Sequence, residues 1–103
     1  MNFTLAILPE ILHVLGERLR AHRLAQGLPQ RELALRAGLS LGAVRKLEHD
    51  GQCSLETLLK VVQSLGLTAE LESLFVLRPL SIAQMEKAAL AQKRQRAPRS
   101  KRR

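Results

Sequence analysis

Aromatic residues are nearly absent from this chain of 103 residues. Phe3 and Phe75 are its two aromatic residues, and tryptophan and tyrosine do not occur. A core must therefore be built from leucine, valine, isoleucine and alanine, which favours a small all-α bundle. The length leaves room for one domain and a tail, not for two full domains.

Cysteine and clustered histidine are also scarce. Cys53 is the single cysteine, so an intrachain disulfide is excluded, and this usage fits a reducing compartment. His13, His22 and His49 are scattered and form no pair at helical spacing. We therefore predict no zinc or other metal site and no cofactor.

Long hydrophobic runs are missing as well. Residues 1–8 are rather apolar but contain no basic residue, and Pro9 and Glu10 interrupt them before they reach the length of a signal peptide. No stretch approaches the length of a membrane span. We expect a cytoplasmic protein with no membrane partner, in which residues 1–9 form an N-terminal arm or an added strand.

Positive charge is abundant but unevenly placed. The formal net charge is +8, and residues 93–103 contain seven of the basic residues, whereas residues 1–92 carry ten basic and nine acidic residues. Residues 96–103 show no apolar periodicity, so we expect a disordered basic tail. Such a tail either contacts nucleic acid or remains a solvated terminus.

A short helix followed by a sharp turn is predicted near the middle of the chain. Residues 30–37 place Leu33, Ala34 and Ala37 on one side of an amphipathic helix. Gly38 then ends this helix, because glycine adopts the positive φ that a sharp turn requires. The chain is thereby redirected within two residues.

A second short helix follows the turn. Ser40 is a suitable N-cap for a helix over residues 41–49, in which Val44 and Leu47 point inward. Leu41, Gly42, Arg45 and Lys46 point away from this inward face, so they are free to contact another molecule. Two short helices joined by a tight turn at a steep angle form a helix-turn-helix, which points to DNA binding.

Further helices are predicted on both sides of this pair. The first runs over residues 10–25, another follows Ser54, and a fifth begins after Thr68 and ends before Arg78. The helix after Ser54 is expected to point these residues inward: Leu55, Leu58, Leu59, Val62 and Leu65. The result is a compact five-helix domain over residues 10–78.

A last helix is predicted beyond Pro79. Ser81 and Gln84 match a capping box, which indicates a helix from about Ile82 to Gln95. Its apolar face is thin. We assign residues 79–95 to a C-terminal helical extension that precedes the basic tail.

Four short blocks of the sequence carry a family resemblance. They are GLPQRELA at residues 27–34, AGLS at 37–40, VRKLE at 44–48 and SLETL at 54–58. Together they resemble the Xre/Cro/C1 family of helix-turn-helix regulators over roughly residues 13–75. The resemblance implies an all-α, lambda-repressor-like fold that binds double-stranded operator DNA.

The resemblance also assigns roles to single residues. Arg23 and Glu48 match a pair that joins the first helix to the second helix of the motif, called the recognition helix. Gln30 matches a residue that anchors a DNA phosphate at the start of the preceding helix. Pro29 departs from the usual Ser or Thr, so one capping contact is lost there.

The recognition helix departs further from the family pattern. Leu41, Gly42 and Lys46 match positions that reach base edges, with Arg45 alongside. Leu41 can touch a thymine methyl and Gly42 offers only backbone, so polar base contacts narrow to Arg45 and Lys46. The DNA-binding residues implied by the resemblance are Gln30, Arg31, Ser40, Leu41, Gly42, Arg45 and Lys46.

Large apolar residues near the end of the domain exceed what one small core needs. We interpret them as a surface for homodimerisation or a partner protein, although ordinary core closure would also account for them. The residues of this surface are Leu74, Phe75, Val76, Leu77, Leu80 and Ile82.

The predicted function is that of a dimeric, sequence-specific transcriptional repressor. The compact domain followed by residues 74–81 and a basic end is similar to HipB-like antitoxins, which imply a HipA-type kinase toxin as partner. A free-standing phage or restriction-modification regulator and an interaction module that keeps the fold remain alternatives. No catalytic residues are predicted: Glu70 and Glu72 face different sides of a helix, and the serines are better explained as caps.

Overall fold

The computed structural model describes residues 1–78 and 81–96, with Arg96 described by its backbone alone. It divides into two units, Met1–Glu72 and Ser73–Arg103, so the division falls earlier than the boundary after Arg78 that we expected. The described residues contain five α-helices and no strand, which confirms the all-α prediction. The helices are α1 (Leu8–Ala25), α2 (Gln30–Ala37), α3 (Leu41–Asp50), α4 (Leu55–Ser64) and α5 (Ile82–Arg96), with 3-10 turns at Phe3–Leu5 and Thr68–Leu71.

The core of the first unit lies where α3 packs against α1 and α2, and where α4 packs against α2. Its buried apolar residues are Leu19, Leu28, Leu33, Ala34, Val44, Leu47, Val61, Val62 and Leu65. The inward face predicted for α4 is wrong in part. Leu55 and Leu59 are 70% and 39% exposed, and Val61, which we had not assigned inward, is 1% exposed.

The N-terminal segment is shorter than expected and is not a strand. Residues 3–5 form a 3-10 turn, and α1 already begins at Leu8. The guanidinium carbon of Arg18 lies 5.1 Å from the ring centroid of Phe3, a cation–π contact that holds this turn against α1.

The fifth helix expected after Thr68 is a single 3-10 turn that ends at Leu71. Phe75 has φ 60°, a left-handed conformation that interrupts any continuing α-helix. Leu71 packs against the core, but Leu74 and Leu77 are 50% and 74% exposed. Burial therefore gives no reason for a helix to continue, and short helices depend on packing for their stability.

Helix α5 is the main element of the second unit. Ser81 is its N-cap and accepts a hydrogen bond from the backbone N–H of Gln84 at 3.1 Å, as the sequence predicts. Ile82 and Met85 are 74% and 52% exposed. The disordered tail predicted for residues 96–103 lies outside the described residues from Ala97 onward.

The helices of the described residues cannot cross a bilayer. Among residues 1–78 and 81–96, none combines the length and the apolar character that a membrane span needs.

Candidate nucleic-acid interface

The turn between α2 and α3 has the geometry that its residues predict. Gly38 adopts φ 69° and ψ 37°, a left-handed conformation that would strain a residue with a side chain. Ser40 then caps α3, because its hydroxyl oxygen accepts a hydrogen bond from the N–H of Ala43 at 3.1 Å. The direction in which α3 leaves the turn is thus fixed locally.

Helix α3 has one buried and one exposed side. Val44, Leu47 and Glu48 are buried, whereas Arg45 and Lys46 are exposed. Leu41 and Gly42, at the start of the same helix, are half-buried and exposed respectively. Four of the residues expected to contact DNA therefore belong to one short helix whose cationic side chains are accessible.

Arg23 of α1 and Glu48 of α3 form a bidentate ion pair. Arg23 Nε donates to Glu48 Oε2 at 2.7 Å, and Arg23 Nη2 donates to Glu48 Oε1 at 3.1 Å. A third hydrogen bond runs from Arg23 Nη1 to the carbonyl oxygen of Leu28 at 2.6 Å. Both side chains are buried, so these bonds replace the water that each charge gives up.

Gln30 links this ion pair to the exposed side of α3. Its Nε2 donates to Glu48 Oε1 at 3.0 Å, and its Oε1 accepts from Arg45 Nε at 3.4 Å. Sequence reasoning assigned the Gln30 side chain to a phosphate and missed both bonds. The sequence holds no signal for them, because residues 15 and 18 positions apart meet only through the turn.

Two shallow clefts flank this linked group. One, of about 480 Å³, is lined by His13, Glu17, Arg20, Gln30, Arg45, Glu48 and His49. The other, of similar size, is lined by Pro29, Gln30, Arg31, Glu32, Leu35, Leu41 and Arg45. Arg45 and Gln30 line both clefts. The first cleft also contains Arg20, and the second contains Arg31. Arg31 was among the residues expected to contact DNA, whereas Arg20 was not.

Helices α1 and α3 approach each other closely at Gly16. A Cβ added at this glycine would lie 2.5 Å from the carbonyl oxygen of Leu47 and 2.8 Å from that of Glu48. Sequence reasoning missed this position. The available signal was a glycine inside an amphipathic helix, which often marks a close approach of two backbones.

The first unit has equal numbers of acidic and basic residues, but not every basic side chain is paired with an acidic one. Residues 1–72 contain eight basic and eight acidic residues. Arg36 pairs with Glu32 at 2.9 Å and Lys60 pairs with Glu56 at 3.4 Å, each within one helix. Within the described residues, Arg31 and Lys46 have no ion-pair or hydrogen-bond partner, so their charges are available to another molecule.

Cys53 lies in the segment before α4, and none of the described residues forms a metal-binding group with it. Burial raises the pKa of its thiol, and a hydrogen bond with the backbone of Leu58 offsets part of this rise. The described part of the chain contains no group of three or more His, Cys, Asp or Glu residues arranged to hold a metal ion. We assign this cysteine no role at the interface.

Comparison with known proteins agrees with this geometry. The family described as Helix-turn-helix matches residues 19–71, which include α2, the turn, α3 and α4. No curated protein and no solved structure matches the chain. The matched segment contains the buried Arg23–Glu48 pair and the exposed cations of α3. The chain therefore belongs to the helix-turn-helix family of DNA-binding regulators, of the Xre/Cro/C1 type.

Proposed function

We propose that the chain is a sequence-specific transcriptional repressor that inserts α3 into the major groove of its operator. The observation that carries this proposal is the exposed side of α3, where Arg45 and Lys46 project from a helix held in place by a buried ion pair. An arginine or lysine at this site can donate to guanine O6 and N7, and a rigid helix lowers the entropic cost of doing so.

A direct test measures binding to the DNA upstream of the chain's own reading frame. Fluorescence anisotropy compares the wild type with the double variant Arg45→Ala/Lys46→Ala on a labelled duplex of that sequence. Loss of both cations should weaken binding at least tenfold. Arg36→Ala/Lys60→Ala is the control with an equivalent change of charge, since both residues are paired with a glutamate of their own helix and lie outside α3. Unchanged affinity of the double variant would contradict the proposal.

Dimerisation is a second part of the proposal. The second unit exposes Leu74, Phe75, Val76, Leu77 and Ile82, whose side chains are between 50% and 92% accessible. Leu80, which we assigned to the same surface, lies outside the described residues. Two copies joined through these residues would present two recognition helices to a pseudo-palindromic operator, which compensates for the few polar contacts each α3 can make. Sedimentation equilibrium tests this, because a monomer at micromolar concentration would contradict it.

A finer proposal names the partner. The same exposed residues, followed by a basic helix, are the surface through which the chain would act as a HipB-like antitoxin that binds a HipA-type kinase and represses their shared operon. Co-expression with the product of the neighbouring reading frame, followed by size-exclusion chromatography, tests this. A stable complex with a kinase-like protein supports it, and a repressor that is fully active without any such neighbour contradicts it.

Two alternative functions differ from a HipB-like antitoxin in whether they need DNA contacts from α3 and a toxin partner. A free-standing phage or restriction-modification regulator needs the same DNA contacts but no toxin. An interaction module that keeps the fold needs neither, and Leu41 and Gly42 favour it because they supply no polar contact to bases. The DNA-binding titration separates the module from both regulators.

A further inference from the structure

The cleft between α1 and the α2–α3 pair has an arrangement that the helix-turn-helix motif does not require. We call it the arginine cleft, because Arg20 of α1 and Arg45 of α3 both line it. Its volume is about 480 Å³, and its mouth is open to solvent. Arg20 is exposed and has no hydrogen-bond or ion-pair partner among the described residues.

Arg45 lines this cleft, and among the described residues only its Nε atom has a hydrogen-bond partner. Its Nε donates to Gln30 Oε1 at 3.4 Å, while Gln30 is itself fixed by its bond to Glu48 at 3.0 Å. The two terminal nitrogens of Arg45 make no other bond within the described residues. A guanidinium that makes one long hydrogen bond through Nε and is free at both Nη atoms can donate two parallel hydrogen bonds to one anion.

One of the two acidic residues that line the cleft is neutralised by a cation outside it. Glu48 is bound by Arg23 at 2.7 Å, and its charge is thereby neutralised. Glu17 Oε2 lies 3.6 Å from His13 Nε2 on the same helix. Two guanidinium groups with free donors therefore face the single carboxylate of Glu17, and this excess of positive charge favours a singly charged anion.

We propose that the arginine cleft binds a phosphate of the DNA backbone between Arg20 and Arg45. In this arrangement Arg45 contacts the backbone and Lys46 makes the polar base contact. Arg31 lines the neighbouring cleft together with Arg45 and, in this proposal, is the third cation of a row that follows one DNA strand. The proposal rests on the proposed function, since it places this row along a DNA strand whose major groove receives α3.

The test compares two arginines of the same helix. Arg20→Ala removes a residue of the arginine cleft, whereas Arg18→Ala removes an exposed arginine that lines neither cleft and lies over Phe3. Affinity is measured by anisotropy, over a series of salt concentrations, for the upstream duplex and for a scrambled duplex of equal length. Arg20→Ala should weaken binding to both duplexes about fivefold at physiological salt and lower the salt slope by about one phosphate contact.

Two additional variants complete the test. Arg20→Lys keeps the charge and should restore the salt slope. Arg45→Ala should weaken binding to both duplexes by the same factor, whereas Lys46→Ala should lower the preference for the upstream duplex. The proposal is overturned if Arg20→Ala binds like Arg18→Ala, or if Arg45→Ala changes the preference between the duplexes. If the wild type binds neither duplex, both the proposed function and the arginine cleft are overturned. If the wild type binds but Arg20→Ala binds like Arg18→Ala, only the arginine cleft is overturned, so the two failures are distinguishable.

Discussion

Arg23 on α1 and Glu48 on α3 are joined by two hydrogen bonds while they are 5% and 4% exposed. Both side chains lie inside the domain. It fixes the angle between α1 and the recognition helix, and through Gln30 it also holds Arg45. A buried charge pair thus connects the packing of the domain to an exposed side chain of α3.

Removal of one partner from this pair should destabilise the domain strongly. Arg23→Met or Glu48→Leu leaves a buried charge without its counterion, so we expect each to lower the free energy of unfolding by about 3–5 kcal/mol. The double variant Arg23→Met/Glu48→Leu removes both charges and should recover most of this loss. Urea denaturation measures all three, and single variants within 1 kcal/mol of the wild type would contradict the expected burial.

Gly16 is predicted to be essential for the contact between α1 and α3. An added methyl group would meet the carbonyl oxygens of Leu47 and Glu48, and backbone cannot move aside as a side chain can. We expect Gly16→Ala to destabilise the domain by about 1–3 kcal/mol, although alanine is the better helix former. Thermal denaturation followed by circular dichroism would show this, and an unchanged or raised melting temperature would be inconsistent with the close approach.

For Gly42 we predict that substitution by alanine stabilises the domain, in contrast to Gly16. Gly42→Ala is therefore the matched control for Gly16→Ala. A Cβ at this position would meet only the Ser40 hydroxyl oxygen at 4.0 Å, so nothing within the first unit requires glycine there. Gly42→Ala should raise the free energy of unfolding by about 0.5–1 kcal/mol, because glycine is costly inside a helix. If α3 approaches the floor of the groove at this residue, the same variant should bind the upstream duplex more weakly. A loss of stability would contradict the exposed placement.

Phe75 should contribute to self-association rather than to the fold. The residue is 92% exposed, and its backbone has φ 60°, a left-handed conformation that costs phenylalanine more free energy than glycine. Phe75→Gly should therefore leave helix content unchanged and weaken the dimer at least tenfold, since each of two symmetric copies loses a buried ring. Sedimentation equilibrium measures the change, with Leu35→Ala as control because Leu35 is 77% exposed on α2. Equal association of Phe75→Gly and the wild type would exclude this residue from the interface.

The sequence predicted the elements that depend on local chemistry. Gly38 and Ser40 act within a few residues of themselves, so the turn and the start of α3 follow from residue type alone. Pairing of Arg23 with Glu48 came from the family resemblance, because no local rule connects positions 25 residues apart. The error at α4 has a similar cause. Leu55 and Val61 are both apolar, and only the position of α2 decides which of them is buried.

The region after Thr68 was the least predictable. Apolar residues at helical spacing indicated a fifth helix through Leu77, but the core is already complete once Leu71 packs against it. The placement of Arg20 beside Arg45 in one cleft could not be predicted either. Its position in a cleft depends on the angle between α1 and α3, which is set by Gly16 and the buried ion pair.

Selectivity between two DNA duplexes tests the central claim most directly. The wild type is titrated into the duplex upstream of its reading frame and into a scrambled duplex of the same composition, each with Lys46→Ala in parallel. We predict at least a tenfold preference of the wild type for the upstream duplex and a preference reduced about tenfold in Lys46→Ala. Equal binding of the wild type to both duplexes, or an undiminished preference in Lys46→Ala, would contradict a sequence-specific role for α3.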